Sequence, residues 1–260
     1  MVTADLPFWH GFCFVYWRRF DIFSCANTFK DIELTSKRTA LLWLLLLVPA
    51  PSIGVLAGMV FLPDDVLGKL LFGASKIWIL LVPLFWVFFA KKEKLTLPMT
   101  KREGFGIAAG LGVLMSAFVI GFYVAFGHVL IDPAGIKEMA NEVGLADRNV
   151  YLGCAAYWIL INSVLEEYVW RWFVVKQCST FMSRWTAIAA SAACFTIHHI
   201  IAMQVYFNWP VTILASLGIF VAGATWSWCY LKYRSIWPGY LSHAIVDAAV
   251  FGVGYILIFQ

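Results

Sequence analysis

Seven stretches of the sequence are apolar over roughly the 20 residues that a helix needs to cross a bilayer. They run from Thr39 to Leu62, Val66 to Ala90, Gly104 to Ile131, Val150 to Phe173, Arg184 to Phe207, Trp209 to Tyr230 and Ile236 to Phe259. Hydrophobic residues make up 62% of the 260 residues and charged residues only 13%, which excludes a soluble domain of this length. Because a helix satisfies its own backbone hydrogen bonds in lipid, the sequence predicts an all-α, polytopic bundle of about seven transmembrane helices.

The N-terminal segment, residues 1–38, differs from the spans. Its stretch from Pro7 to Phe23 is rich in aromatic residues but contains Arg18 and Arg19, and it is too short to cross a bilayer. This pattern predicts an interfacial helix lying in the headgroup region. No long linker or internal repeat divides the rest, so we expect a single membrane-embedded domain over residues 1–260.

Three local features refine the predicted bundle. Pro49 and Pro51 are expected to kink the first span. The Gly106-x-x-x-Gly110 motif permits close helix approach. The acidic connection from Asp132 to Asn149 is expected to be partly helical.

Basic residues alternate along the chain between the predicted loops. They are concentrated before the first span and after the second, fourth and sixth spans, whereas the intervening loops hold mainly acidic residues besides Lys137 and Arg148. Basic loops remain on the cytoplasmic side. The pattern therefore predicts a multi-pass protein with a cytoplasmic N-terminus and an outside C-terminus.

The fourth span contains charges that are costly in lipid. Glu166, Glu167 and Arg171 lie inside its apolar run, where each charge costs about 3 kcal/mol on insertion scales. On a helix Glu167 and Arg171 stack one turn apart, whereas Glu166 is rotated by about 100°. We therefore expect Arg171 to neutralise Glu167 and to leave Glu166 as a free carboxylate. A purely structural polar contact between helices is the alternative.

Two other spans supply imidazoles and a carboxylate. The fifth span has adjacent His198 and His199, of which only one is expected to enter a shared site, and the seventh has His243 and Asp247 one turn apart. His199 is expected to lie deeper than Glu166 and His243 if its helix begins at Arg184. Three segments that each supply such a group favour a functional site over isolated core contacts.

Carboxylates and imidazoles together allow two kinds of chemistry. In a low-dielectric site a carboxylate can act as general base on water, and an imidazole can share that role or stabilise an oxyanion. The same groups can bind a divalent metal such as zinc. A His-Glu-x-x-His motif, which zinc proteases of the ordinary type carry, is absent from the sequence.

The three motifs resemble those of a known family when they are taken together. Glu166-Glu167-x-x-x-Arg171, Phe195-x-x-x-His199 and His243-x-x-x-Asp247 resemble the motifs of the CPBP family. This family comprises intramembrane proteases related to type II CAAX prenyl endopeptidases and to bacteriocin-processing or self-immunity proteins. The resemblance covers residues 150–249.

The resemblance implies an intramembrane endopeptidase with a cytoplasm-facing site. Glu166 and His199 would activate water, His243 and Asp247 would stabilise the oxyanion, and Glu167 with Arg171 would support the site. The implied partners are the lipid bilayer and a peptide or protein substrate, with a prenylated C-terminus as one candidate, and no nucleic acid. No cofactor is required; a zinc ion bound by Glu166, His199, His243 and Asp247 is the alternative.

Two positions depart from the family pattern. Asp247 stands where the family usually has Asn, and Trp172 replaces a small residue after the arginine. Two other hypotheses remain open. One is a non-catalytic immunity or chaperone-like membrane protein with a vestigial site, and the other is a proton-coupled transporter.

Overall fold

The computed structural model describes residues 36–91 and 103–260, and these are helical with short connections and without a β-strand. The predicted interfacial helix and nearly all of the basic loop at 91–102 lie outside the described residues.

Eight helices account for the described part of the chain. They are α1 Ser36–Phe61, α2 Val66–Phe89, α3 Phe105–Leu130, α4 Pro133–Glu142, α5 (residues 148–178), α6 Arg184–Tyr206, α7 Trp209–Tyr233 and α8 Trp237–Phe259. The prediction of an all-α membrane bundle is confirmed. The partial helix expected between Asp132 and Asn149 is α4.

Six of these helices are long and apolar enough to cross a membrane, namely α1, α2, α3, α6, α7 and α8. Helix α5, the fourth predicted span, is not among the six, although it is continuous over 31 positions from 148 to 178. Its polar residues, Asn162, Glu166, Glu167 and Arg171, lower the mean hydropathy of the segment. The predicted number of seven spans is therefore approximate.

Short polar side chains begin most of the helices. Asp65, Asp132 and Asp147 accept hydrogen bonds from the first backbone N–H groups of α2, α4 and α5. Ser183 and Asn208 do the same for α6 and α7. Such caps satisfy N–H groups that lack a partner within the helix, and they explain why the helices begin at these residues.

Prolines and π-helical turns modify the regular helices. In α1 the regular pattern is interrupted at Val48, directly before Pro49, and residues Leu56–Phe61 form a π-helix. In α5 two π-helical segments, Trp158–Asn162 and Glu167–Val175, lie on either side of the short α-helical turn Ser163–Glu166. Since a π-helix turns less per residue than an α-helix, the side chains of α5 are oriented differently from an ideal α-helix.

The close helix approach occurs at another glycine than the one predicted. A Cβ atom added at Gly106 or Gly110 would meet no described atom within 4 Å. At Gly112, in contrast, an added Cβ would lie 3.0 Å from the Ser242 carbonyl oxygen of α8. Helices α3 and α8 pack against each other extensively, and their close approach is at Gly112 rather than at the predicted motif.

Candidate active site

Helices α5, α6 and α8 bring the candidate residues together, and α7 adds an aromatic wall. Glu166, Glu167 and Arg171 come from α5, and both carboxylates and the guanidinium are buried. Hydrogen bonds hold the helices in place around them: Ser191 of α6 donates to the Trp170 carbonyl oxygen of α5 at 3.0 Å. The site is thus built where three helices pack closely.

Glu167 is the centre of a buried charge network. Its Oε1 lies 3.3 Å from Arg171 Nε, and both side chains are fully buried. The same oxygen lies 3.1 Å from His243 Nδ1 of α8. The pair of Glu167 with Arg171 has the geometry that the four-residue spacing predicted, and it extends to a third residue on another helix.

Aromatic rings enclose the positive partners of this network. The Arg171 guanidinium carbon lies 4.6 Å from the Phe195 ring centroid and 5.3 Å from that of Trp226. The His243 ring stacks on Trp226 with centroids 3.8 Å apart. The Nη atoms of Arg171 have no hydrogen-bond acceptor among the described residues. The cation–π contacts therefore compensate part of the cost of burying the guanidinium.

Gly239 makes room for Glu167. A Cβ atom at this position in α8 would lie 2.5 Å from Glu167 Oε2, which is too close for any side chain. The sequence gives no signal for this role, because glycines are common in membrane helices and the contact joins residues 72 positions apart.

Glu166 meets both histidines of α6. Glu166, His198 and His199 each offer one ligand atom, and these atoms lie within 4.8 Å of one another. The two imidazole rings have centroids 4.1 Å apart. The expectation that only one of the two histidines enters the site is therefore wrong. His199 was expected to lie deeper than Glu166 if α6 begins at Arg184. The helix does begin at Arg184, and the ligand atoms of His199 and Glu166 are nevertheless close together.

The tautomer of His199 follows from its hydrogen bond. Its Nδ1 lies 2.8 Å from the Phe195 carbonyl oxygen, which can only accept a hydrogen bond. Nδ1 therefore carries the proton in the neutral ring, and Nε2 presents a lone pair. A nitrogen in this state can accept a proton from water or bind a metal.

His243 lies among three carboxylates. Besides the contact of Nδ1 with Glu167, its Nε2 is 3.6 Å from Glu166 Oε2 and 3.7 Å from Asp247 Oδ2. The neutral ring that donates from Nδ1 has no proton on Nε2. Only the imidazolium form donates from both nitrogens.

Ser163 holds Asp247 and is a residue that the sequence did not single out. Its hydroxyl lies 2.8 Å from Asp247 Oδ2, to which it donates, and also contacts the carbonyl oxygens of Trp158 and Ile159 at 2.9 and 3.0 Å. Because the hydroxyl has a single proton, it can donate to only one of these three acceptors at a time. Ser163 lies one turn before Glu167 in α5, so it links the Asp247 carboxylate to the helix of the glutamates.

The donor atoms of a metal site differ from those predicted. Glu166 and His199 belong to the cluster with closely spaced ligand atoms, but the third member is His198, and His243 and Asp247 lie outside that cluster. One carboxylate and two imidazoles match the ligand set of catalytic zinc sites that leave one coordination position for water. The set therefore fits a zinc ion in its chemistry.

Trp172 packs towards α2. Its ring stacks on Tyr168 with centroids 5.2 Å apart and meets Trp86 of α2 edge to face at 6.0 Å. Its bulk is thus accommodated in the aromatic contact between α2 and α5.

Comparison with known proteins identifies a family for part of the chain. Residues 148–249 match the family model described as Rce1-like, type II CAAX prenyl endopeptidase. No curated protein and no solved structure matches the chain. The matched segment begins with α5 and contains every candidate site residue named above, and the family together with six apolar helices supports an integral membrane protease. The resemblance that the three motifs carry is thereby confirmed over residues 148–249, which match the Rce1-like type II CAAX prenyl endopeptidases.

Proposed function

We propose that the chain is an intramembrane endopeptidase in which Glu166 and His199 activate the water that attacks a peptide bond. The observation that carries the proposal is the close approach of Glu166 to the histidines of α6, with the lone pair of His199 Nε2 available. Glu167 is already engaged by Arg171 and His243, so Glu166 is the carboxylate that remains for a proton transfer.

In this mechanism, a water molecule held between Glu166 and His199 Nε2 gives up a proton to Glu166 as its oxygen attacks the substrate carbonyl carbon. The carbonyl oxygen becomes the oxyanion of a tetrahedral intermediate, and the transferred proton passes to the leaving amine when the C–N bond breaks. Glu166 then returns to its ionised state. A general base of this kind contributes a factor of roughly 10²–10⁴ to the rate.

His243 is the donor that we assign to the oxyanion. With Nδ1 held by Glu167, an imidazolium ring directs its Nε2–H towards the space beside Glu166 and Asp247. The hydrogen bond strengthens as charge develops on the substrate oxygen. Asp247, held by Ser163, orients His243 and does not need to contact the oxyanion.

A metal-dependent form of the same reaction is the second candidate, and the cluster of Glu166, His198 and His199 favours it. A zinc ion bound there would polarise the substrate carbonyl and lower the pKa of bound water. Chelation together with His198→Gln separates the two forms, because His198 is needed as a ligand only in the zinc-bound form. Without a metal, the variant keeps its activity and chelators have little effect; with a metal, both treatments abolish cleavage.

The proposal also assigns a setting. The alternation of basic loops supports a site that opens to the cytoplasm, with a peptide or protein substrate that approaches along the bilayer, and a prenylated C-terminus is one candidate substrate. The N-terminus would then be cytoplasmic and the C-terminus outside. We propose no nucleic-acid partner.

The test is cleavage of a fluorogenic reporter peptide by the purified protein in liposomes. His199→Gln should lower kcat by about 10²-fold or more because the lone pair that positions the attacking water beside Glu166 is lost. His128→Gln is the matched control, since His128 lies in the last turn of α3. Absence of cleavage by the wild type, with or without added zinc, would favour a non-catalytic membrane protein.

A further inference from the structure

A groove of about 330 Å³ lies between α5 and α8, away from the catalytic residues that these helices carry. Helix α5 lines it with Tyr151, Leu152, Ala155 and Ile159, and α8 lines it between Ala248 and Tyr255. Leu152 and Gly252 are exposed, so the groove is open along its side. Its shape and apolar lining suit a long apolar ligand.

A basic residue lies at one end of this groove. The Arg148 guanidinium carbon is 5.7 Å from the ring centroid of Tyr255 and 5.5 Å from that of Phe259. Tyr151 packs against both rings, with centroids 6.0 and 5.6 Å away. Arg148 begins α5 and Phe259 ends the membrane helix α8, so this end of the groove lies at the membrane boundary, where aromatic residues are enriched.

The Arg148 guanidinium is suited to bind an anion. Among the residues that the structure describes, no carboxylate lies within ion-pair distance of it. The neighbouring Asp147 carboxylate instead accepts hydrogen bonds from the backbone N–H groups of Asn149 and Val150, at 2.9 and 3.0 Å. The Arg148 side chain is exposed, and a guanidinium binds a phosphate through two parallel hydrogen bonds.

The length of the groove matches one leaflet of a bilayer. Ile159 is eleven residues after Arg148 in α5, and Ala248 is eleven residues before Phe259 in α8. At ~1.5 Å per residue each wall is ~16 Å long. Half of the ~30 Å hydrocarbon core is ~15 Å, the depth that one acyl chain covers below its headgroup. A helix of a partner protein would continue through both leaflets, so the dimensions favour an acyl chain.

The inner end of the groove adjoins a contact of the candidate active site. The Ile159 carbonyl oxygen is one of the acceptors that Ser163 contacts, and Ala248 directly follows Asp247. The hydrogen bond from Ser163 to Asp247 connects α5 with α8. A chain in the groove therefore packs against both helices next to their polar contact, and it should stabilise their arrangement.

We propose that this groove binds one acyl chain of a glycerophospholipid whose phosphate is bound by Arg148. Lipid tails are as apolar as the groove, so the groove alone gives little preference over the surrounding bilayer. The phosphate on Arg148 supplies that preference. The lipid site does not depend on the proposed function, because none of its contacts involves the groups that activate water.

The experiment measures binding of dioleoyl phosphatidylglycerol to the purified full chain in detergent by native mass spectrometry and by thermal shift. Dioleoylglycerol lacks the phosphate and is the comparison ligand. The wild type should bind the phospholipid about tenfold or more tightly than dioleoylglycerol, as expected for a charge-assisted hydrogen bond. Arg148→Gln should remove this difference and leave dioleoylglycerol binding unchanged. Arg184→Gln is the matched control, since Arg184 is also exposed and stacks on a ring, that of Trp185, at the start of α6.

A second pair of variants tests the acyl chain. A Cβ atom added at Gly252 meets no described atom within 4 Å, so Gly252→Leu should fold and place its side chain in the groove. We expect about tenfold weaker binding of both lipids. Gly153→Leu is the matched control: Gly153 of α5 is equally open and does not line the groove, and this variant should bind as the wild type does.

Three results would overturn the inference: equal affinity of the wild type for the two lipids, retention of the preference in Arg148→Gln, or equal binding by Gly252→Leu and Gly153→Leu. The last result would mean that the lipid is bound elsewhere on the bundle. Equal thermal protection by inorganic phosphate would mean an ion site only. A lipid-free dimer that Gly252→Leu dissociates would mean that a second copy of the chain occupies the groove, and it would overturn the proposal as well.

Discussion

Two adjacent glutamates in α5 have different surroundings. Glu167 is fully buried against Arg171 and His243, and Gly239 leaves space for it. Glu166 is 8% exposed and faces the histidines of α6. The difference follows from their positions on the helix, because side chains one residue apart point in different directions.

The buried pair of Glu167 with Arg171 is expected to stabilise the fold. Replacing Arg171 by Met leaves the Glu167 charge buried without its guanidinium, which should lower the free energy of unfolding by about 3–5 kcal/mol. The double variant Glu167→Gln with Arg171→Met removes both charges and should recover a large part of that loss. Thermal unfolding in detergent measures the stability of the single and of the double variant. A double variant that is no more stable than Arg171→Met would contradict the proposal that the two charges stabilise each other.

At the residue scale, the sequence predicted the relation between Glu167 and Arg171 because a helix fixes the position of residues four apart. It did not predict the roles of His198, Ser163 or Gly239. Their contacts join residues on different helices, and the packing that creates them has no local signal. Ser163 and Asp247, for example, are 84 positions apart in the sequence.

At the scale of the elements, the helix boundaries were predicted closely and the contacts between helices were not. Capping residues and apolar length fix where α2, α6 and α7 begin, and both are visible in the sequence. The face that each helix presents depends on neighbours and, in α5, on π-helical turns. For that reason the sequence predicted a close helix approach at Gly106 and Gly110, whereas the structure has it at Gly112.

The contact of α3 with α8 at Gly112 is expected to position His243. In Gly112→Ala the new methyl group would press on Ser242, the residue before His243, and overpacking of this kind costs about 1–3 kcal/mol. We expect lower thermal stability and lower reporter cleavage. Gly110→Ala is the matched control on the same helix: it meets no described atom within 4 Å and should leave both unchanged or raise stability by up to about 1 kcal/mol. Equal effects of the two substitutions would contradict the assignment.

At the scale of the whole molecule, charge placement predicts how the chain crosses the bilayer. A cysteine introduced at Ala146, which is exposed after α4, should react with a membrane-impermeant reagent from outside the cell. A cysteine at Thr96, in the basic loop, should react only after permeabilisation. Both are placed in a background without the six native cysteines. Reversed accessibility would overturn the cytoplasmic opening of the site.

The central claim is that Glu166 is the general base and that Glu167 is a structural partner of Arg171. The direct test measures kcat on the reporter peptide together with thermal stability for Glu166→Gln and Glu167→Gln. Glu166→Gln is predicted to lower kcat by about 10²-fold or more at unchanged stability, whereas Glu167→Gln is predicted to lower stability. Full turnover by Glu166→Gln would contradict the account.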